Sequence, residues 1–193
     1  MKDRFWTAPN QITLLRLIFV PFVIMNVMDG HYKWALGLFI AAGLSDALDG
    51  LLARALHQKT TVGQYLDPIA DKLLLSSLFL VLSFTRQIPW KYTVLVFSRD
   101  LSILVIAAAL YATTNIRDFS PSIFGKMNTA AQVGAVFFVL LVKVEATASV
   151  LFCRRFFLYA TFALTTLSGL HYIFLTGKRI HASSPGDSVS AGR

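Results

Sequence analysis

The stretch SDALDGLLARALHQKTTVGQYLDPIADK, residues 45–72, closes one apolar run, opens the next and carries four aspartates across the boundary. If the flanking runs are helical, Asp46 and Asp49 at i,i+3 share one face, and Asp67 and Asp71 at i,i+4 share one face of the following helix. Two such pairs facing each other make a pocket. Ionised carboxylates beside hydrocarbon are costly unless compensated, and four together repel one another, so bound cations or protons must neutralise them. Arg54 and Lys72 offer at most two positive charges locally. Helix capping explains Asp67 before Pro68, or Asp49-Gly50 at a helix end, but it does not explain four acids assembled with two glycines and an arginine.

The surroundings confirm that the boundary is one between membrane helices. Of 193 residues 55% are hydrophobic and only 15% charged, with 16 Phe and a mean hydropathy of +0.62, which excludes an ordinary soluble domain. Apolar runs at about 10–28, 34–54, 64–84, 90–113, 124–142 and 151–175 predict an all-α, polytopic membrane protein with about six transmembrane helices. The expected organisation is one membrane domain over 1–180 and a disordered tail over 181–193, rich in Ser, Gly and small residues. The first run contains Arg16 and Pro21, lacks a small-residue cleavage site and reads as a retained helix.

With both termini on the cytoplasmic side, nine Lys and Arg fall inside, six fall outside, and Arg16, Lys72 and Arg99 fall within apolar runs. The acid cluster then lies between helices near the cytoplasmic face. A short N-terminus without an Arg- and Ser-rich presequence favours a bacterial inner membrane. The net charge of +8 is loop charge facing anionic headgroups; no aromatic-interleaved basic patch argues for nucleic acid. The single Cys153 forms no internal disulfide, and His31, His57, His171 and His181 have no ligand-like spacing.

Oxygen-only donors suit two hard divalent cations, Mg²⁺ or Mn²⁺. Such a pair would balance four carboxylates, bind a diphosphate and improve its leaving group. Gly50 and Gly63 let a ligand approach the backbone, and Arg54 is a fixed cation for phosphate.

Read with its spacers, Asp46-x2-Asp49-Gly50-x2-Ala53-Arg54-x8-Gly63-x3-Asp67-x3-Asp71 resembles the signature of the CDP-alcohol phosphatidyltransferase family at every position. The resemblance extends to Asn10-x2-Thr13-x2-Arg16-x4-Pro21, to Arg99 and to Gly125-Lys126-x2-Thr129-x2-Gln132. It implies a six-helix homodimer that displaces CMP from CDP-diacylglycerol by the hydroxyl of an acceptor alcohol. By the same resemblance Asp46, Asp49, Asp67 and Asp71 hold two metal ions, and Asp71 also takes the hydroxyl proton. Asn10, Thr13, Gly50, Ala53, Arg54, Thr60 and Gly63 line the CDP-lipid, and Arg99 and Lys126 bind an acceptor phosphate.

The acceptor is read from two places. Members using glycerol 3-phosphate look like Arg-Glu and Gly-Lys-x-Lys-Thr there, whereas this chain has Arg99-Asp100 and Lys126-x-Asn128-Thr129, closer to the cardiolipin synthases of the family. Glycerol 3-phosphate, giving phosphatidylglycerophosphate, is the expected acceptor, because Gly125-Lys126 and Arg99 are kept. Phosphatidylglycerol, giving cardiolipin, is the alternative. A cation transporter, whose intramembrane acids mark an ion route, is the alternative of another class, and a non-catalytic scaffold leaves the acids unexplained.

Overall fold

A computed structural model describes residues 8–55, 61–113 and 123–182, with side chains at 13–45, 70–102, 105 and 125–169. These residues form six helices and no strand: α1 (Ala8–Met28), α2 (Tyr32–Ala55), α3 (Thr61–Phe84), α4 (Trp90–Thr113), α5 (Ile123–Val144) and α6 (Ala148–Ala182). Each corresponds to one apolar run. The largest departure is α6, whose 35 residues continue past the apolar run to Ala182, so the helix enters the segment expected to be a tail. Residues 183–193 lie outside the described residues.

Three short turns make three antiparallel hairpins. The α1–α2 turn closes at Gly30, where φ is 75°, with His31 N–H donating to Asn26 C=O at 2.8 Å and Gly30 N–H to Val27 C=O at 3.2 Å. This is a Schellman cap, which needs a left-handed residue after the helix. The α3–α4 turn repeats it with Arg86 at φ 57°: Gln87 N–H donates to Leu82 C=O at 2.7 Å and Arg86 N–H to Ser83 C=O at 3.0 Å. Pro89, which cannot donate to a preceding turn, then precedes α4 and accepts from Tyr92 N–H at 3.0 Å.

The three turns lie at one end of the bundle. Lys143 at the end of α5 stacks its ammonium 5.6 Å from the Tyr32 ring at the start of α2, and Arg154 near the start of α6 donates to Gln87 C=O at 2.8 Å. The apolar core sits toward this end, built from Val23 and Val27, Ala35 to Ala42 of α2, Leu74 to Leu82 of α3, Ile88, Tyr92 and Val96, Ala135 to Leu140 of α5, and Leu158. Of the buried polar residues, Ser83 and Thr93 bond each other at this end, and Thr13, Arg16, Asn128, Gln132, Thr161, Thr165 and Ser168 lie farther from the turns.

Exposure is inverted relative to a soluble protein. Along α1 the polar Thr13 and Arg16 are buried with Val23 and Val27, while Leu15, Ile18, Phe22 and Met25 form the outward stripe. On α6 Phe152, Phe156 and Tyr159 face out and Thr161, Thr165 and Ser168 face in. Trp34 and Trp90 are exposed near the turn end, a position suited to an amphipathic ring at a lipid–water interface. Two helical segments, Gly125–Val144 and Ala148–Gly169, are long and apolar enough to cross a membrane, and Thr13–Met28 is a shorter apolar helix.

Candidate active site

α1 and α5 each pack against both α2 and α3, and among the described residues the α2 and α3 backbones do not approach each other closely. The two helices bearing the aspartate pairs are therefore joined through α1 and α5. Asp46 and Asp49 lie in the C-terminal half of α2, and Asp67 and Asp71 in the N-terminal half of α3, so all four belong to the half of the bundle away from the three turns. The backbones of Asn10, Asp46, Asp49, Gly50, Ala53, Arg54, Gly63 and Asp67 are helical, and their side chains lie outside the described residues; Thr60 lies outside altogether.

Asp71 is the expected ligand whose side chain is described. Its Oδ1 accepts from Arg16 Nη1, an ion pair across α1 and α3 in which the guanidinium is 1% exposed and the carboxylate 42%. Helical spacing puts Thr13 on the face that carries Arg16, and both are buried. A buried cation inside an apolar run needs a carboxylate, and Arg16 finds it on the residue expected to act as base.

A second charged cluster adjoins the first. Lys72 Nζ donates to both oxygens of Asp100, at 2.7 and 2.8 Å, and Arg99 Nη1 donates to Asp100 Oδ1 at 2.8 Å. Arg99 Nη2 reaches Ser168 Oγ at 3.1 Å, so the cluster ties α3, α4 and α6. Arg99 thus has polar partners in its own bundle, and Lys126 is exposed one residue after Gly125 on α5. Asn128, beyond it, is fully buried and its Oδ1 accepts from Thr165 Oγ1 at 2.8 Å. Asn128 Nδ2, Gln132 Nε2 and Thr161 Oγ1 are buried without a hydrogen-bond partner.

Sequence reasoning named Arg16, Lys72 and Arg99, with Asp100 beside Arg99, but not the bond from Lys72 to Asp100 or from Arg99 to Ser168. The signal was present: Arg16, Lys72 and Arg99 are the three cations inside apolar runs, and each is in an ion pair. Ser168 carried no signal, because a serine in an apolar helix is unremarkable until the helix opposite it is known.

Among the described residues no three His, Cys, Asp or Glu side chains come together as a metal-binding group. The donor chemistry of the full aspartate set nevertheless fits a hard divalent cation, and Asp71, though paired, keeps an accessible carboxylate.

A helical bundle that buries an arginine against an aspartate among apolar outward faces defines a membrane-associated enzyme-like site. Residues 6–167 match the model of the CDP-alcohol phosphatidyltransferase family, and the chain belongs to that family. The family uses divalent cations. The chain is 30% identical over 195 residues to a cardiolipin synthase (CMP-forming) of Rattus norvegicus, covering 90% of this chain and 62% of that protein. The human cardiolipin synthase (CMP-forming) is also 30% identical, over 86% of this chain and 62% of its own length. A probable phosphatidylglycerophosphate synthase of Mycobacterium tuberculosis is 34% identical over 89% of this chain and 82% of its own. The chain therefore spans less than two thirds of the length of the two cardiolipin synthases.

Proposed function

We propose that this chain is an integral membrane enzyme of phospholipid synthesis that transfers the phosphatidyl group of CDP-diacylglycerol to a glycerol-bearing acceptor. The observation that carries the reading is the position of Asp71: the last aspartate of the family pattern is held in an ion pair by a buried arginine of α1, in the half of the bundle away from the three turns.

In this reading Asp46, Asp49, Asp67 and Asp71 hold two divalent cations, Mg²⁺ or Mn²⁺, which when bound supply charge stabilisation to the diphosphate. Arg16 orients Asp71 through Oδ1. The acceptor hydroxyl oxygen attacks the β-phosphorus, the bond from that phosphorus to the oxygen of CMP breaks, and CMP leaves with the electron pair. The hydroxyl proton passes to Asp71, which must lie within hydrogen-bond reach of the nucleophile. Asn10, Thr13, Gly50, Ala53, Arg54, Thr60 and Gly63 line the CDP-lipid. Six spans, both termini in the cytoplasm of a bacterial cell and a homodimer complete the reading. The inverted exposure of α1 and α6 supports the lipid setting.

Two acceptors have support. The Mycobacterium tuberculosis relative favours glycerol 3-phosphate, and the mammalian relatives favour phosphatidylglycerol. The test is CMP release from CDP-diacylglycerol by the purified full chain with Mg²⁺ or Mn²⁺ and each acceptor in turn. Metal-dependent release, lost on chelation and in Asp71→Asn, is expected; release that survives both would sink the reading.

A further inference from the structure

The Lys72–Asp100–Arg99 cluster sits beside the proposed base, since Lys72 follows Asp71 directly on α3. It differs from a surface salt bridge in three ways. It is graded in exposure, from Lys72 at 41% through Asp100 at 18% to Arg99 at 9%, so it has an open side and a closed side. Its closed side is anchored to α6 through Ser168, while Arg99 Nε is buried without a hydrogen-bond partner. It also does not balance: among the described residues two cations share one carboxylate, leaving one positive charge in excess.

Asp71 beside Lys72 is paired with Arg16, and among the described residues the neighbouring helices do not cancel that excess. The described residues facing it from α6 are neutral, with Arg154 and Arg155 about 20 Å away along the helix from Ser168. Asn128 on α5 is buried but uncharged, and Lys126 is exposed, where water and salt screen it.

We infer that Lys72 and Arg99 hold the phosphate of the acceptor and that Asp100 sets the charge of this subsite, so that it takes a phosphodiester in preference to a phosphomonoester. This inference rests on the transferase reading. A phosphodiester carries one negative charge and neutralises the cluster. A phosphomonoester carries nearly two at neutral pH and leaves an uncompensated anion, whose burial is costly. The acceptor selected on that ground is a glycerol phosphodiester lipid over glycerol 3-phosphate, reversing the order read from the sequence. Asp100 touches the phosphate-binding cations and not the reacting atoms, so it is a specificity-determining residue.

The experiment compares kcat/KM for phosphatidylglycerol and for glycerol 3-phosphate in the wild-type full chain, in Asp100→Asn and in Asp100→Glu, by CMP release in lipid–detergent micelles. Wild type should prefer the phosphodiester. Asp100→Asn adds one net positive charge and should shift the ratio toward glycerol 3-phosphate by about tenfold, the scale of one charge-assisted hydrogen bond. Asp100→Glu should keep the wild-type preference. If Asp100→Asn does not fold, Lys72→Gln decides: KM for the acceptor should rise about tenfold with KM for CDP-diacylglycerol unchanged. Turnover with an unmoved ratio, or with both KM values moving together, overturns this inference and leaves the transferase reading intact. No CMP release by wild type with either acceptor overturns both.

Discussion

Arg16 of α1 and Asp71 of α3 form an ion pair of unequal partners, a guanidinium sealed in the bundle against a carboxylate that keeps 42% of its side-chain surface. The inequality sets what each substitution costs. Asp71→Asn strips a carboxylate from a cation that water cannot reach, whereas Arg16→Met leaves a carboxylate that water can hydrate. Breaking a buried pair from the exposed side should cost about 3 kcal/mol, and from the buried side about half of that. Thermal unfolding in detergent should therefore place Asp71→Asn below Arg16→Met, and the opposite order would show that the carboxylate is the more dependent partner.

Thr161 is buried on α6 with its hydroxyl unpartnered, one helical turn before Thr165, which does bond Asn128. Replacing an unsatisfied buried hydroxyl by a methyl group of similar shape removes a desolvation cost without losing a bond. Thr161→Val should raise stability by about 1 kcal/mol, while Thr165→Val, which orphans Asn128 Oδ1, should lower it by a similar amount. Equal and opposite shifts in melting temperature between two chemically identical changes would be hard to obtain any other way. A fall in both would show that Thr161 has a bonded partner in solution.

The contrast between these two threonines marks where sequence reading stops. The six helices were legible because each apolar run is long and bounded by charge or by Gly and Pro. The aspartate set stands out in the sequence because acids beside hydrocarbon need a reason, and of the four side chains the described residues include that of Asp71. Which carboxylate each intramembrane cation takes was not legible: Arg16 bonds a residue 55 positions away and Lys72 one 28 positions away, and those distances are set by how α1, α3 and α4 lie together. For the same reason Arg99 read as a phosphate ligand, and its bond to Ser168 emerged only with α6 in place. Arg86 in a left-handed turn was also hidden, since arginine carries no turn signal.

That turn supplies a third prediction. Arg86 adopts φ 57°, a conformation that costs a residue with a Cβ about 1 kcal/mol or more and costs glycine little. Glycine loses part of the gain through greater freedom in the unfolded chain. Arg86→Gly should still stabilise the α3–α4 hairpin by about 0.5 kcal/mol, and Gly30→Ala in the equivalent cap of α1 should destabilise by about 1 kcal/mol. Gly30 has open space around the missing Cβ, so a loss there reports backbone strain alone. No change at Gly30 would mean that the cap rearranges at no cost.

Gly134 offers the opposite case, in which space and not conformation forbids a side chain. A Cβ there would clash with Cδ1 and Cε1 of Phe157 across the α5–α6 interface. The Phe157 ring has little room to yield, because Phe138 stacks on it with centroids 5.2 Å apart and Phe156 meets it edge-on at 5.5 Å. Gly134→Ala gains about 1 kcal/mol of helix propensity, but overpacking of this kind costs about 1–3 kcal/mol, so the net change should be a loss. Phe157→Leu removes the clashing ring edge at its own cost. Because the two changes relieve each other, the double variant should be more stable than the sum of the singles by about 1 kcal/mol. Strict additivity in a double-mutant cycle would show that the helices separate instead of the ring being displaced.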